Sequence, residues 1–179
     1  YLESWHSDIE EFLDLRDNTG DEAQRAHNLN LANWVPDLFM RRVEEDGMWS
    51  LFDPKEMPQL VDLYGEDFDK AYIEGEAEGK FVRQVKARDL YARMMKSLAQ
   101  TGNGWMTWKD ASNKKSNQTG LPRNVIHLSN LCTEILEVTS AGETAVCNLG
   151  SINLGAHVVN GAFDFEKLAH TTEVAIKYL

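Results

Sequence analysis

The alternation of strand-like and helix-like segments most restricts what this 179-residue chain can fold into. Alternating apolar runs predict strands, and amphipathic periodicity predicts the helices between them. The predicted strands are residues 1–5, 27–35, 105–108, 130–135 and 145–149. Strands that alternate with helices indicate an α/β fold with crossover connections. Because about five strands are too few to close a barrel and would leave open edges, we expect a part of a larger fold.

Capping and turn residues predict where the helices begin and end. Residues 7–10 (Ser-Asp-Ile-Glu) have the spacing of a capping box, ahead of a helix that runs to Leu15. Pro36 suits the first turn of a second helix, and residues 53–56 (Asp-Pro-Lys-Glu) repeat the start signal. The clearest amphipathic pattern, at residues 85–99, predicts a helix with one apolar face in the core.

The last third of the chain has weaker signals. Residues 110–124 have no periodicity and are predicted to be a polar loop. Asp164 can cap a final helix. The residues of this helix that we expect to face inward are Phe165, Leu168, Val174 and Ile176.

Composition excludes two classes of partner. The net charge of −11 argues against a nucleic-acid partner, because a phosphate backbone selects for Lys and Arg. No apolar run approaches the ~20 residues that a membrane span needs. The charge is uneven: residues 44–78 are acidic and residues 80–123 are basic. We expect oppositely charged, solvated faces that help subunits or halves of the protein to dock.

A short row of chemically useful residues lies at 130–135 (Asn-Leu-Cys-Thr-Glu-Ile). If this segment is a strand, then Asn130, Cys132 and Glu134 project from the same face, spaced by roughly 6.6–6.8 Å. An amide, a thiol and a carboxylate in such a row suit chemistry on a hydroxylated substrate. Taken singly, each residue has a plainer explanation, since a cysteine is often a small buried hydrophobe and a glutamate is usually solvated.

The two cysteines, Cys132 and Cys147, are too few for a disulfide scaffold and suit a reducing cytosol. His6 and Asp8 have the spacing of half a metal site, but the other histidines are scattered, so a metal hydrolase is a distant alternative. We expect His6 to be a hydrogen-bonded residue at a strand-to-helix junction.

Several longer motifs identify a family. They are Tyr-Leu-Glu-Ser-Trp-His-Ser-Asp-Ile at 1–9, Phe-Leu-Asp-Leu at 12–15, Asn-Thr-Gly at 18–20, Pro-Asp-Leu-Phe-Met at 36–40, Asn-Leu-Cys-Thr-Glu-Ile at 130–135 and Ala-Val-Cys-Asn-Leu at 145–149. From end to end, the chain resembles the large catalytic subunit of ribonucleotide reductase, most closely the class I, diphosphate-reducing type. The resemblance implies a central slice of a ten-stranded α/β barrel, with residues 1–179 forming part of a single catalytic domain that is incomplete at both ends.

The resemblance also implies roles for individual residues. Cys132 would lie at the tip of a loop inside the barrel and become the thiyl radical that removes the 3′ hydrogen of the ribose. Glu134 would accept the proton of the 3′ hydroxyl, and Asn130 would hydrogen-bond the substrate. Leu131 and Thr133 would complete the substrate-binding segment. Cys147 would be one of two thiols that deliver electrons by forming a disulfide.

Elementary chemistry agrees with these roles. A C–H bond on an alcohol carbon is not acidic, so a carboxylate alone cannot break it, whereas a sulfur radical can. Once a radical lies beside the oxygen, a general base within reach of that hydroxyl makes loss of the neighbouring 2′ hydroxyl easier. The two electrons that complete the reduction can come from a dithiol.

The resemblance further implies an assembly and several parts outside this chain. The expected partners are a ribonucleoside diphosphate, a metal-containing small subunit that supplies the radical, a second large subunit, and thioredoxin or glutaredoxin. No cofactor is expected on this chain; ATP and deoxynucleotide effectors would bind elsewhere in the full protein, which we expect in the cytoplasm. Because the second redox thiol and the residues that pass in the radical are not in this sequence, the isolated chain is predicted to be inactive.

Two other functions remain open at this point. A cobalamin-dependent ribonucleotide reductase would share the Asn-x-Cys-x-Glu arrangement, and nothing within this slice rules it out. A non-catalytic subunit or interaction module would keep the motif as packing, and the segregated charges are compatible with that. Replacing Cys132 by Ser in the complete enzyme separates catalysis from packing.

Overall fold

The computed structural model describes residues 1–121 and 124–179 of the chain. They form two units, Tyr1–Thr144 and Ala145–Leu179. The strands of the first unit are β1 Leu2–Glu3, β2 Ala32–Val35, β3 Met48–Leu51, β4 Arg83–Lys86 and β5 Trp105–Trp108. Its helices are α1 Ile9–Asp14, α2 Asp37–Glu44, α3 Gln59–Asp62, α4 Gly65–Ala77, α5 Ala87–Thr101 and α6 Lys109–Lys115, with a 3₁₀ turn at Glu22–Gln24.

A parallel sheet in the order β1-β2-β5 is the centre of the first unit. Leu2 pairs with Asn33, and Ala32 pairs with Trp105. The chain between these strands contains helices, so the predicted α/β layout with crossover connections is confirmed. The predicted strand at 27–35 is shorter, since only Ala32–Val35 is extended in the sheet. All four of its residues are buried, as expected of a central parallel strand that is covered on both faces.

An antiparallel pair, β3 with β4, makes the fold mixed. The sequence patterns did not predict these two strands. Helices α3 and α4 lie between them, and the start signal at residues 53–56 marks a turn rather than a helix: Asp53 accepts hydrogen bonds from Lys55 through its side chain and from Glu56 through its carbonyl oxygen. The aromatic core links the pair to α4, because Trp49 stacks on Tyr72 with ring centroids 4.3 Å apart.

The predicted helix at 85–99 is confirmed as α5, with its boundaries shifted to Ala87–Thr101. Its buried side includes Leu90 and Met94. The helix ends at Gly102, which has a φ of 65°, the left-handed conformation that favours glycine at helix ends.

The capping box predicted at residues 7–10 is wrong. The helix α1 begins at Ile9, so Asp8 and not Ser7 occupies the capping position, and the Ser7 hydroxyl donates to the Asp8 carboxylate instead. The start of α1 has no side-chain capping hydrogen bond.

The polar loop predicted at 110–124 is also wrong in its first part, because α6 covers Lys109–Lys115. Pro122 and Arg123 lie outside the described residues. Asp110, in the first turn of α6, binds the starts of two other helices: its carboxylate accepts from the backbone N–H of Asp37 at 2.5 Å and of Gly65 at 2.5 Å. One buried carboxylate therefore stabilises the amino-terminal ends of both α2 and α4, where the helix dipole favours negative charge.

The second unit contains a 3₁₀ turn at Leu154–His157, strands β6 Val158–Val159 and β7 Ala162–Phe163, and helix α7 Phe165–Tyr178. Asp164 caps α7 as predicted, since its side chain accepts from Lys167 N at 2.9 Å. Three of the four inward positions predicted on α7 are wrong, since Phe165, Val174 and Ile176 are exposed, whereas Leu168 is half-buried. Residues 145–149 are likewise not a strand.

Candidate active-site turn

The segment that carries the candidate catalytic residues is a turn and not the predicted strand. Residues 131–133 form the bend, and the Thr133 N–H donates to the Asn130 carbonyl oxygen at 3.3 Å. Thr133 has a φ of 74°, in the left-handed region that a β-branched residue rarely adopts. Asn130, Cys132 and Glu134 therefore do not form a straight row, but they lie together on one short bend.

Asn130 gives the physical reason for the turn. Its side-chain Oδ1 accepts from the Ile135 N–H at 3.0 Å, which closes a loop of backbone that a strand would keep open. Short amide side chains compete with regular secondary structure in this way. The Ser129 hydroxyl, 4% exposed, closes the base of the loop by donating to the Ile135 carbonyl oxygen at 2.6 Å.

These bonds also orient the Asn130 amide. Because Ile135 N–H can only donate, the atom of Asn130 that it contacts is the acceptor Oδ1. Within the part of the chain that the structure describes, the Nδ2 group is then the side of Asn130 left to donate to a ligand. An amide held in this orientation can bind a hydroxyl oxygen of a substrate.

Cys132 and Glu134 are both exposed on the turn, and Cys132 is a free thiol. Leu131, between Asn130 and Cys132, is 57% exposed. The bend thus presents a thiol and a carboxylate to the surface of the unit. Such a pair can perform hydrogen transfer and general base chemistry once a substrate lies against it.

Sequence reasoning missed a contact that supports the turn from a distant part of the chain. The Tyr1 hydroxyl donates to the Asn130 carbonyl oxygen at 2.9 Å and lies 3.4 Å from the Thr133 hydroxyl oxygen. No pattern in the sequence signals it, because the contact spans 129 residues.

Cys147 is exposed and free, in the coil that opens the second unit. The strand expected around it is absent, since residues 145–153 are in neither helix nor strand. Cys132 belongs to the first unit and Cys147 to the second.

His6 lies between β1 and α1, the junction at which it was expected. Its Nδ1 accepts from the backbone N–H of Asp8 at 3.0 Å, which occupies one of its two ring nitrogens. Within residues 1–121 and 124–179, no group of three or more His, Cys, Asp or Glu side chains is placed to hold a metal ion.

A buried ion pair fixes the strand that follows Tyr1. The Lys109 ammonium group, 0% exposed, donates to Glu3 Oε1 at 2.7 Å and to the Leu60 carbonyl oxygen at 2.6 Å. Trp5 Nε1 donates to Glu3 Oε2 at 2.6 Å. Burial raises the pKa of Glu3 to about 7, although the charge of Lys109 opposes the shift, and burial lowers the pKa of Lys109.

The described part of the chain has no helix that is both long enough and apolar enough to cross a membrane.

Comparisons with known proteins agree with the resemblance over the whole chain. The family model described as "Ribonucleotide reductase, barrel domain" matches residues 1–179. The chain is 50% identical over 184 residues to the ribonucleoside-diphosphate reductase subunit alpha of Chlamydia trachomatis. It is 51% identical to the large subunits of ribonucleoside-diphosphate reductase from Danio rerio and from Caenorhabditis elegans, over 180 residues each.

Each of these alignments covers 100% of this chain, but only 17%, 22% and 23% of the three relatives. The chain thus spans about a fifth of the length of the relatives that it matches. The mixed parallel and antiparallel strands and the absence of a closed barrel among the described strands fit a partial slice of that domain. The chain belongs to the ribonucleotide reductase family, as part of the barrel domain of the large subunit.

Proposed function

We propose that this chain is a central part of the single catalytic barrel domain of a ribonucleoside-diphosphate reductase large subunit. In the complete protein it would help to replace the 2′ hydroxyl of a ribonucleotide by hydrogen and so supply deoxyribonucleotides for DNA synthesis. The observation that carries the proposal is the Asn130–Glu134 bend, which presents an amide, a thiol and a carboxylate together in a member of this family.

Cys132 would start and end the reaction. As a thiyl radical, its sulfur takes the 3′ hydrogen of the ribose, so that an S–H bond forms, a C–H bond breaks and the radical moves to the carbon. The exposed position of the thiol on a bend lets it approach a sugar. At the end of the cycle the same S–H group returns the hydrogen to the 3′ carbon.

Glu134 and Asn130 would act on the hydroxyl beside that carbon. Glu134 is exposed next to the bend and accepts the proton of the 3′ hydroxyl as a general base, which promotes departure of the 2′ hydroxyl as water. Asn130 has its amide oriented by Ile135, and it donates from Nδ2 to the substrate. Leu131 and Thr133 complete the segment against which the sugar lies.

Cys147 would supply half of the electrons. A pair of thiols gives up two electrons and two protons and becomes a disulfide, which balances the loss of one oxygen from the substrate as water. The second thiol of the pair lies elsewhere in the full protein. The exposed position of Cys147 is suited to disulfide exchange with that partner.

The complete enzyme would need further components. A metal-containing small subunit supplies the radical, and thioredoxin or glutaredoxin restores the dithiol. A homodimer of large subunits in the cytoplasm, regulated by ATP and deoxynucleotides bound elsewhere in the full chain, is the expected assembly. The 179-residue chain alone is predicted to be inactive, because it carries one thiol of the redox pair.

The test is Cys132→Ser in the complete large subunit, assayed with the small subunit, a ribonucleoside diphosphate and a dithiol reductant. Serine has nearly the same shape, but its O–H bond is too strong to form a useful radical, so turnover should fall by more than about a thousandfold. Circular dichroism and melting temperature should not change, since the Cys132 side chain is exposed. Turnover within tenfold of the wild type would overturn the proposal and favour an interaction module that keeps the motif as packing.

A further inference from the structure

The active-site bend is supported by the side chain of Tyr1, which is far from it in the sequence. Tyr1 precedes β1, and its hydroxyl reaches Asn130 and Thr133, which flank Cys132 on both sides. A carbonyl oxygen can only accept, so the single phenolic hydrogen goes to the Asn130 carbonyl at 2.9 Å. The Thr133 hydroxyl is then the donor to the phenolic oxygen at 3.4 Å.

The tyrosine is itself held in place. Its ring packs edge-on against the indole of Trp34, with centroids 6.0 Å apart and an angle of 80° between the planes. Trp34 is a fully buried residue of the central strand β2. Two residues after Tyr1, the Glu3 carboxylate is tied to Lys109. The Tyr1 ring is therefore held by Trp34, and the strand that follows it is held by the Glu3–Lys109 ion pair.

The bend is closed at its base by the hydrogen bonds of Asn130 and Ser129, whereas its tip is exposed. Leu131 and Cys132 are exposed, and Thr133 is in the left-handed region, a strained conformation that persists only when surrounding contacts impose it. Tyr1 contacts the residue before Leu131 and the residue after Cys132. These two contacts act on both ends of the strained bend.

We propose that Tyr1 is a positioning residue that fixes the Cys132 thiol relative to the substrate, an inference that rests on the proposed function. Because a reacting atom misplaced by about 1 Å can cost 10²-fold in rate, loss of the phenolic hydroxyl should act on the chemical step more than on binding. Tyr1 itself does not touch the reacting atoms in this account.

The experiment is Tyr1→Phe in the complete large subunit, assayed with the small subunit and a dithiol reductant. The ring stays on Trp34 and only the hydroxyl is lost. We expect kcat to fall by about 10- to 100-fold, with KM for the nucleotide within about twofold of the wild type. A kcat within twofold of the wild type, measured beside an inactive Cys132→Ser, would overturn the inference and leave the proposed function standing.

Tyr72→Phe is the matched control. Its hydroxyl, fully buried, donates to the Ser50 carbonyl oxygen at 2.9 Å and accepts from Ser50 N–H at 2.6 Å, so this variant also loses a phenol with two contacts. We expect Tyr72→Phe to lower the melting temperature and to leave kcat within twofold. If Tyr72→Phe lowers kcat as much as Tyr1→Phe does, the effect belongs to general stability and the positioning role is wrong.

Thiol reactivity gives a readout that does not depend on turnover. The rate at which iodoacetamide alkylates Cys132 can be followed by mass spectrometry of its peptide in the complete subunit. A released bend should change this rate by severalfold in Tyr1→Phe and leave it unchanged in Tyr72→Phe. Equal rates in the wild type and Tyr1→Phe would contradict the inference, and turnover by Cys132→Ser would instead remove the proposed function on which it rests.

Discussion

Tyr1, which precedes strand β1, and Glu3, which ends it, lie in very different surroundings. At Glu3, a buried carboxylate meets the buried ammonium group of Lys109, and two carbonyl oxygens and an indole N–H complete the network. Two residues earlier, the Tyr1 hydroxyl meets an exposed bend that carries a free thiol. In the first region, around Glu3 and Lys109, the buried charged groups all have hydrogen-bond partners. The second region, the bend contacted by Tyr1, holds its shape through a few hydrogen bonds.

The difference indicates that the Glu3–Lys109 region stabilises the fold, whereas the bend that carries Cys132 is the region proposed to react. Buried charges persist only when their partners are in place, so the Glu3–Lys109 pair fixes strand β1 against helix α6. In the proposed function the Cys132 thiol reaches a substrate and has to remain exposed, so its position depends on the hydrogen bonds of Asn130, Ser129 and Tyr1. Breaking the first region should cost stability, and loosening the second should cost rate.

The largest effect on stability is expected for Lys109→Met. The change leaves the Glu3 carboxylate and the Leu60 carbonyl oxygen buried without their donor, which costs about 3–5 kcal/mol for a broken buried ion pair. The measurement is hydrogen exchange of the β1 and β5 amides in the complete large subunit, which gives a local opening free energy.

Lys177→Met is the control for that change. Its ammonium group pairs with Glu173 at 2.6 Å on the exposed surface of α7, where such a pair contributes about 0.3–0.5 kcal/mol. Lys109→Met should also be partly compensated by Glu3→Gln, because the amide leaves no uncompensated charge. If Lys109→Met lowers protection no more than Lys177→Met, the Glu3–Lys109 region does not stabilise the fold.

A smaller effect is expected from pH, acting through Glu3. Burial raises its folded-state pKa to about 7 from an ordinary value of 4.5, so its contribution to stability is complete below pH 4.5 and is lost as the pH rises through 7. The loss is at most about 3 kcal/mol.

Protection of the β1 amides, corrected for the intrinsic exchange rate, should therefore decrease between pH 5 and pH 8, and Glu3→Gln should flatten that profile. Protection that increases over this interval in the wild type would show that the carboxylate is stabilised in its charged form and that its pKa is not raised.

Local patterns in the sequence predicted the elements that local interactions determine. The strand Trp105–Trp108, the amphipathic helix α5 and the Asp164 cap are confirmed because their signals lie within a few neighbouring residues. The pairing of β3 with β4 brings together residues such as Trp49 and Val85, which are far apart in the sequence, so no window of sequence contains it.

Helix α6 was missed for a similar reason. Its Asp110 caps two other helices, and Asn113 accepts from Ile126 N–H at 2.8 Å, so residues that look like loop formers are buried by distant partners. At the candidate site, the spacing in the sequence predicted the set of Asn130, Cys132 and Glu134, and the resemblance implied their roles. The strand geometry was wrong because a single Asn130 side chain replaces a neighbouring strand as the partner of the backbone.

The central claim is that Cys132 breaks the 3′ C–H bond of the ribose. The most direct measurement is the effect of deuterium at the 3′ position of a ribonucleoside diphosphate, with the wild type, Cys132→Ser and Cys147→Ser in the complete enzyme. We expect a primary isotope effect on kcat/KM in the wild type and no turnover in Cys132→Ser. In Cys147→Ser, cleavage of the 3′ bond should continue without completion of product, because only electron delivery is lost. Product formation by Cys132→Ser with the same 3′ isotope effect as the wild type would contradict the account.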